Sequence, residues 1–67
     1  MKVRLNNSEL IIKEKSNLIN LMKERNLYHE SGIAVAINEE ILPKGQWEGY
    51  QIQDKDNILI ITATQGG

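Results

Sequence analysis

The sequence predicts an α+β fold in which one helix packs across a mixed sheet of four to five strands. Residues 2–6 and 9–13 have strand character on either side of a polar turn. Apolar residues recur at helical spacing in one stretch, at about 17–26. The other apolar segments are short and rich in β-branched residues, as strands are. These segments are 33–38, 41–42 and 58–61.

The N-terminal segment predicts a hairpin. Val3 and Leu5 alternate with Lys2 and Arg4, which is the pattern of a strand with one buried face. Asn6-Asn7-Ser8 follows, and asparagine tolerates the left-handed backbone angles of tight turns. We therefore expect the chain to return as a second, antiparallel strand.

The helix is predicted from its apolar stripe and its first residue. Leu18, Leu21 and Met22 lie on one helical face. Asn17 precedes them and is a favoured N-cap, because its side-chain oxygen can accept from a free N–H of the first turn.

The middle of the chain predicts strands that pack closely under this helix. Alanines between β-branched residues in 33–38 favour close packing, and Pro43 should end the short strand at 41–42 because it lacks an N–H. We expect Trp47 to pack over one end of the core, and 54–57 to form a solvated turn.

The last strand is apolar on both faces, which predicts a binding surface. A single helix covers only one face of a sheet, so part of the other face is either buried by a partner or left as an exposed patch. The candidate partner-binding residues are Ile58, Leu59, Ile60 and Ile61. The pattern leaves open which alternate pair faces outward, because both pairs are apolar.

The order of elements favours one topology. Two strands, a helix, a strand, a short strand and a final strand form a β-grasp (ubiquitin-like) fold if the first and last strands lie side by side. A ferredoxin-like fold would need a second helix, which residues 44–53 do not predict.

Length and composition bound the function. The 67 residues of net charge −1 predict one domain over 1–67, without the basic surplus that nucleic-acid binding needs. Cysteine is absent, which excludes disulfides and thiolate metal sites, and no apolar run could span a bilayer. We expect a cytoplasmic protein that is not an enzyme, since no nucleophile-and-base motif is present.

The chain closes on Gly66-Gly67, after small residues that follow the last strand. Glycine has no Cβ, so its backbone can pass through a narrow channel. We expect a flexible tail at about 63–67, which could carry the Gly67 carboxylate roughly 20 Å from the body at ~3.3 Å per residue from residue 62.

Along almost its whole length the chain resembles the sulfur carrier proteins of thiamine biosynthesis, the ThiS family. The motifs that carry this resemblance are Asn17-Leu18-x-x-Leu21-Met22, Ala34-Val35-Ala36-Ile37-Asn38, Ile41-Leu42-Pro43 with Trp47, Asp54-x-Asp56, and Gly66-Gly67. Two positions depart from the family pattern: Lys55 replaces a turn glycine, and Gln65 replaces a small apolar residue.

The resemblance implies that an E1-like, ATP-using partner (ThiF-like) adenylates the Gly67 carboxylate, with no cofactor bound to the carrier itself. Sulfur from a cysteine-desulfurase-derived persulfide would then form a thiocarboxylate on Gly67, and thiazole synthase (ThiG-like) would receive that sulfur. Gly66, Gln65 and Thr64 would let the tail pass into the partner's site.

Two alternatives remain open from the sequence. A MoaD-like carrier of molybdopterin synthesis would use the same terminal chemistry for another product. A non-carrier β-grasp interaction module would have its terminal glycines by coincidence.

Overall fold

The computed structural model describes residues 1–28 and 32–62. Within these ranges five strands form one sheet, and a single α-helix packs on one of its faces. The strands are β1 (Lys2–Leu5), β2 (Ser8–Ile11), β3 (Ile33–Ile37), β4 (Glu40–Ile41) and β5 (Asn57–Thr62), and the helix is α1 (Leu18–Glu24). No helix in the described part of the chain is long and apolar enough to cross a membrane.

The strand order is β2-β1-β5-β3-β4. β1 and β5 run parallel, with Arg4 opposite Asn57, and the other neighbouring pairs are antiparallel. The first and last strands are therefore adjacent, as predicted, and the mixed sheet with one helix is the predicted β-grasp arrangement.

The helix begins where the sequence predicted. Asn17 Oδ1 accepts hydrogen bonds from the backbone N–H groups of Ile19 at 2.8 Å and Asn20 at 3.4 Å. The same side chain donates from Nδ2 to the Glu48 carbonyl at 2.9 Å. One asparagine thus caps the helix and ties it to the distant 44–53 segment.

The helix ends earlier than the predicted residue 26. Asn26 takes a left-handed φ of 58°, which turns the chain out of the helix. The Leu27 N–H then bonds to the Met22 carbonyl at 2.7 Å, and the Asn26 N–H bonds to the Lys23 carbonyl at 3.1 Å. These two bonds are those of a Schellman motif, with asparagine in place of the usual glycine.

The core lies between the helix and the inner face of the sheet. Trp47 closes one end of it, with 3% of its surface exposed, and its Nε1 donates to the Leu42 carbonyl at 2.7 Å. The prediction for this tryptophan is confirmed. The buried apolar residues are Val3, Leu18, Leu21, Met22, Val35, Ile37, Trp47, Ile52, Ile58 and Ile60.

Candidate functional site

β5 alternates between the core and the outer face of the sheet, which is the face away from α1. Ile58 and Ile60 are 0% and 5% exposed, whereas Leu59 and Ile61 are 40% and 52% exposed. The inclusion of Ile58 and Ile60 in the candidate patch needs correction, because both side chains lie in the core beneath α1. Only tertiary packing could distinguish the two pairs, since all four residues are apolar.

The exposed residues of β5 belong to a larger apolar surface. Ala36 of β3 lies opposite Leu59 on one side and Ile41 of β4 on the other, and Ala34 lies opposite Ile61. Ile41 is 70% exposed. We call Leu59, Ile61, Ala34, Ala36 and Ile41 the outer patch.

Differences in side-chain size determine the shape of the outer patch. Two alanines on β3 separate the larger side chains of β5 and β4, so the middle of the patch is lower than its sides. Sequence analysis missed Ala34, Ala36 and Ile41 as surface residues, because their role depends on which strands pair. The alternation of alanine with Val35 and Ile37 was the available clue.

Charged side chains of β1 and β2 lie near the start of β5. Arg4 lies opposite Asn57 of β5, and both Arg4 and Lys2 are exposed. Lys2 Nζ lies 3.9 Å from Glu9 Oε2 on β2, an exposed ion pair that contributes little to stability. Glu9 also lies opposite Arg4, so the exposed charges beside the start of β5 are of both signs.

Buried Asp56 anchors the start of β5. Its carboxylate accepts hydrogen bonds from Tyr50 Oη at 2.5 Å, Asn38 Nδ2 at 3.0 Å and the Gln53 N–H at 2.9 Å. Asp56 is 4% exposed, so the prediction of a solvated turn is wrong at this residue. The reason is that donors from the β3–β4 turn and from the 50–53 segment converge on it.

The same network links β3 to β5 directly. Asn38 Oδ1 accepts from the Asn57 N–H at 2.9 Å, and the Asn38 N–H donates to the Asn57 carbonyl at 2.8 Å. These contacts set the register in which Ala36 lies beside Leu59. The network therefore fixes how β3 and β5 lie beside each other in the outer patch, although its residues are not part of the patch.

Tyr50 provides a pH-dependent test of this network. Burial, together with the hydrogen bond to Asp56 and the negative charge of Asp56, raises the pKa of Tyr50 to about 12 from the usual 10.0. The folded-state pKa exceeds the unfolded one, so this stabilisation is complete below pH 10 and is lost as the pH rises through 12. We expect tyrosinate absorbance in a Tyr28→Phe background to titrate near 12 and, with Asp56→Asn added, to titrate at lower pH. A titration of Tyr50 near 10 in the folded protein would contradict the network.

Other predicted site residues lie outside the described residues. These are Thr64, Gln65, Gly66 and Gly67. The last described residue, Thr62, is exposed, ends β5 and lies opposite Ile33. The predicted carrier end therefore follows directly on the strand that contributes Leu59 and Ile61 to the outer patch.

Comparison with known proteins decides the family. The model of the ThiS family matches residues 2–67, nearly the full sequence. This chain belongs to the ThiS family. The match includes the β-grasp body described above and continues through Gly66 and Gly67.

One relative in the family is the sulfur carrier protein ThiS of Escherichia coli strain K12. It is 42% identical to this chain over 38 residues. The aligned region covers 57% of this chain and 58% of the relative, so it spans less than two thirds of the relative's length.

A solved structure supports the fold. The thiamine biosynthesis protein (ThiS) of Geobacter metallireducens matches with a TM-score of 0.82 and covers 100% of both chains. Its sequence is 19% identical to this one. At that identity the likeness establishes the β-grasp fold of this ThiS family member.

Proposed function

We propose that this chain is a sulfur carrier in thiamine biosynthesis and that its working group is the Gly67 carboxylate. Membership of the ThiS family over residues 2–67 carries this proposal. In it, the chain performs no catalysis itself: it presents its C-terminus to enzymes and docks on them through the outer patch.

The first step activates the carboxylate, which is a poor electrophile. An E1-like, ThiF-like partner joins the Gly67 carboxylate oxygen to the α-phosphorus of ATP and releases pyrophosphate. The resulting acyl-adenylate has AMP as a good leaving group. The carrier needs no cofactor of its own, because ATP is bound and used by the partner.

The second step loads sulfur. A persulfide derived from a cysteine desulfurase attacks the Gly67 carbonyl carbon, and AMP leaves. A thiol then reduces the acyl disulfide and releases the thiocarboxylate. A ThiG-like thiazole synthase receives this sulfur in the third step.

The geometry of the described residues supports separate roles for the body, which docks, and for the C-terminus, which carries sulfur. The body exposes apolar side chains, Leu59 and Ile61, on the strand that leads to the tail. Docking there brings a partner close to Thr62, the last residue before the predicted tail. Gly66, Gln65 and Thr64 then complete the passage to the partner's active site.

Deletion of Gly67 is expected to abolish sulfur loading completely. The protein is incubated with its purified ThiF-like partner, ATP, a cysteine desulfurase, cysteine and a thiol, and its intact mass is measured. The wild-type chain should gain the mass difference between sulfur and oxygen, and the deletion variant should not. An Asn20→Ala variant, changed on the exposed face of α1, should load like the wild type.

Two outcomes would contradict the proposal. The first is an unchanged wild-type mass under conditions that load the E. coli ThiS protein. The second is sulfur loading by the variant without Gly67. Growth then tests the pathway: a strain lacking this protein should require thiamine and not molybdopterin.

A further inference from the structure

β5 extends beyond the strand that pairs with it on one side. The parallel pairing with β1 ends at Leu5 and Ile58, whereas β3 pairs with β5 as far as Thr62. Four residues of β5 therefore have a strand neighbour on the β3 side alone. On the β1 side, residues 59–62 therefore form a strand edge that extends past the end of the β1–β2 hairpin.

A side chain closes the first part of this edge. Asn6 has a φ of 50° and turns the chain away from β5, while its N–H still bonds to the Ile58 carbonyl at 2.9 Å. Its Oδ1 accepts from the Ile60 N–H at 2.8 Å. An asparagine side chain thus satisfies the amide that a longer β1 would have bonded.

The next backbone groups have no such cap. Because backbone groups alternate between the two neighbours of a strand, the Ile60 carbonyl and the N–H of Thr62 face the same side as the Ile60 N–H. In residues 1–28 and 32–62 no group hydrogen-bonds to them. Among the described residues, they form a short, open edge in line with β1.

This edge lies beside the outer patch. Ile61, between the two open groups in sequence, is 52% exposed on the outer face, and Thr62 is exposed as well. An extended segment laid along the edge would direct alternate side chains to the outer face, next to Ile61. Backbone pairing and apolar contact would therefore be available to the same ligand.

We propose that this edge accepts an extended segment of the adenylating partner as an added strand in line with β1. Main-chain groups of that segment bond to the Ile60 carbonyl and to Thr62, and an apolar side chain covers Ile61. The inference rests on the proposed function and adds to it a backbone contact that orients β5 where the tail enters the partner.

The length of the edge argues for a partner that is already held elsewhere. Two or three net hydrogen bonds strengthen binding by a factor on the order of 100. A complex with a micromolar Kd requires an association constant of roughly 10⁶ M⁻¹. A second copy of this chain, bound through the edge alone, would therefore dissociate. A partner anchored by the tail and the outer patch gains the edge contact without a further loss of rotational freedom.

The decisive variant is Thr62→Pro, which removes the outward N–H. The ladder with β3 does not use that N–H, and proline is tolerated at strand edges in this orientation. Thr62→Val is the matched control, since it removes the hydroxyl and keeps the N–H. Affinity for the purified ThiF-like enzyme is measured by calorimetry without ATP.

We expect Thr62→Pro to bind about fivefold more weakly than Thr62→Val, within a range of about twofold to tenfold for one net hydrogen bond. The two variants should have the same melting temperature. Equal affinities would overturn the inference. Because the wild-type chain would still bind and load sulfur in that case, the proposed carrier function would stand.

Hydrogen exchange at the Thr62 amide provides a test without substitution. We expect fast exchange in the free monomer and slowed exchange in the complex with the ThiF-like enzyme. Fast exchange in the complex would overturn the inference. Slow exchange in the free monomer would assign the edge to this chain's own tail, and slowing only at concentrations where a dimer forms would assign it to a second copy. A wild-type chain that the enzyme neither binds nor adenylates would refute both proposals.

Discussion

Ile61→Glu is expected to weaken binding of the ThiF-like partner by about 30-fold or more while leaving the fold intact. Ile61 is 52% exposed, so the new carboxylate stays hydrated in the free protein. Docking of the enzyme on the outer patch would bury that carboxylate without a compensating positive charge, which costs at least about 2 kcal/mol. Calorimetry gives the affinity, and a thermal melt followed by circular dichroism gives the stability.

The neighbouring residue supplies a matched control with the same chemical change. Ile60 is 5% exposed and faces α1. Ile60→Glu would place a carboxylate in the core, at a cost of several kcal/mol, against a total stability of about 3–5 kcal/mol for a domain of this size. We expect this variant to be unfolded, in contrast to Ile61→Glu.

A third isoleucine separates patch effects from general charge effects. Ile11 is 71% exposed on β2, and β1 lies between β2 and the strands of the outer patch. Ile11→Glu should change neither the affinity nor the melting temperature. Unfolding of Ile61→Glu would show that this residue is core, and an equal loss of affinity in Ile11→Glu would show that the patch is not the docking surface.

Asp56→Ala is expected to reduce the free energy of unfolding by about 3 kcal/mol or more. The change leaves three converging donors, from Tyr50, Asn38 and Gln53, without their acceptor. Each unsatisfied buried group costs about 1–3 kcal/mol. A domain with about 3–5 kcal/mol in total should then be largely unfolded at room temperature, as urea titration will show.

Asp54 provides the control for this second prediction. It lies two residues earlier, is exposed, and accepts one hydrogen bond, from the Lys2 N–H at 2.9 Å. Asp54→Ala should cost about 1 kcal/mol or less. Asp56→Asn should fall between the two alanine variants, because it keeps one acceptor oxygen but turns an NH₂ toward other donors. Equal stabilities for Asp54→Ala and Asp56→Ala would show that the buried network does not stabilise the fold.

The two predictions connect the Asp56 network to the outer patch. The Asp56 network sets how β5 lies against β3, and β5 in turn exposes Leu59 and Ile61 beside Ala34 and Ala36. Loss of the network should therefore affect docking only through loss of the fold. In contrast, a charge on the outer patch should affect docking directly.

Local patterns in the sequence were sufficient to predict the α-helix, the five strands and their order. The alternation of Val3 and Leu5, the stripe of Leu18, Leu21 and Met22, and the N-cap Asn17 each depend on neighbours within about one turn of the chain. Residues 58–61 are apolar on both faces of the strand, and one helix can cover only one face, so the sequence also predicted an exposed apolar surface. The family motifs pointed to the carrier function, which the Gly67 experiment tests.

Tertiary structure alone decided which side chains form the surface and which are buried. Ile58 and Ile60 cannot be distinguished from Leu59 and Ile61 by hydrophobicity, so the position of α1 separates them. Asp56 looks like a turn residue until donors from segments up to 18 residues away converge on it. The open edge at Thr62 likewise depends on β1 ending beside Ile58, a matter of strand register. Local sequence specifies the conformation of each segment, whereas burial, polar networks and edges arise from contacts between segments that are distant in the chain.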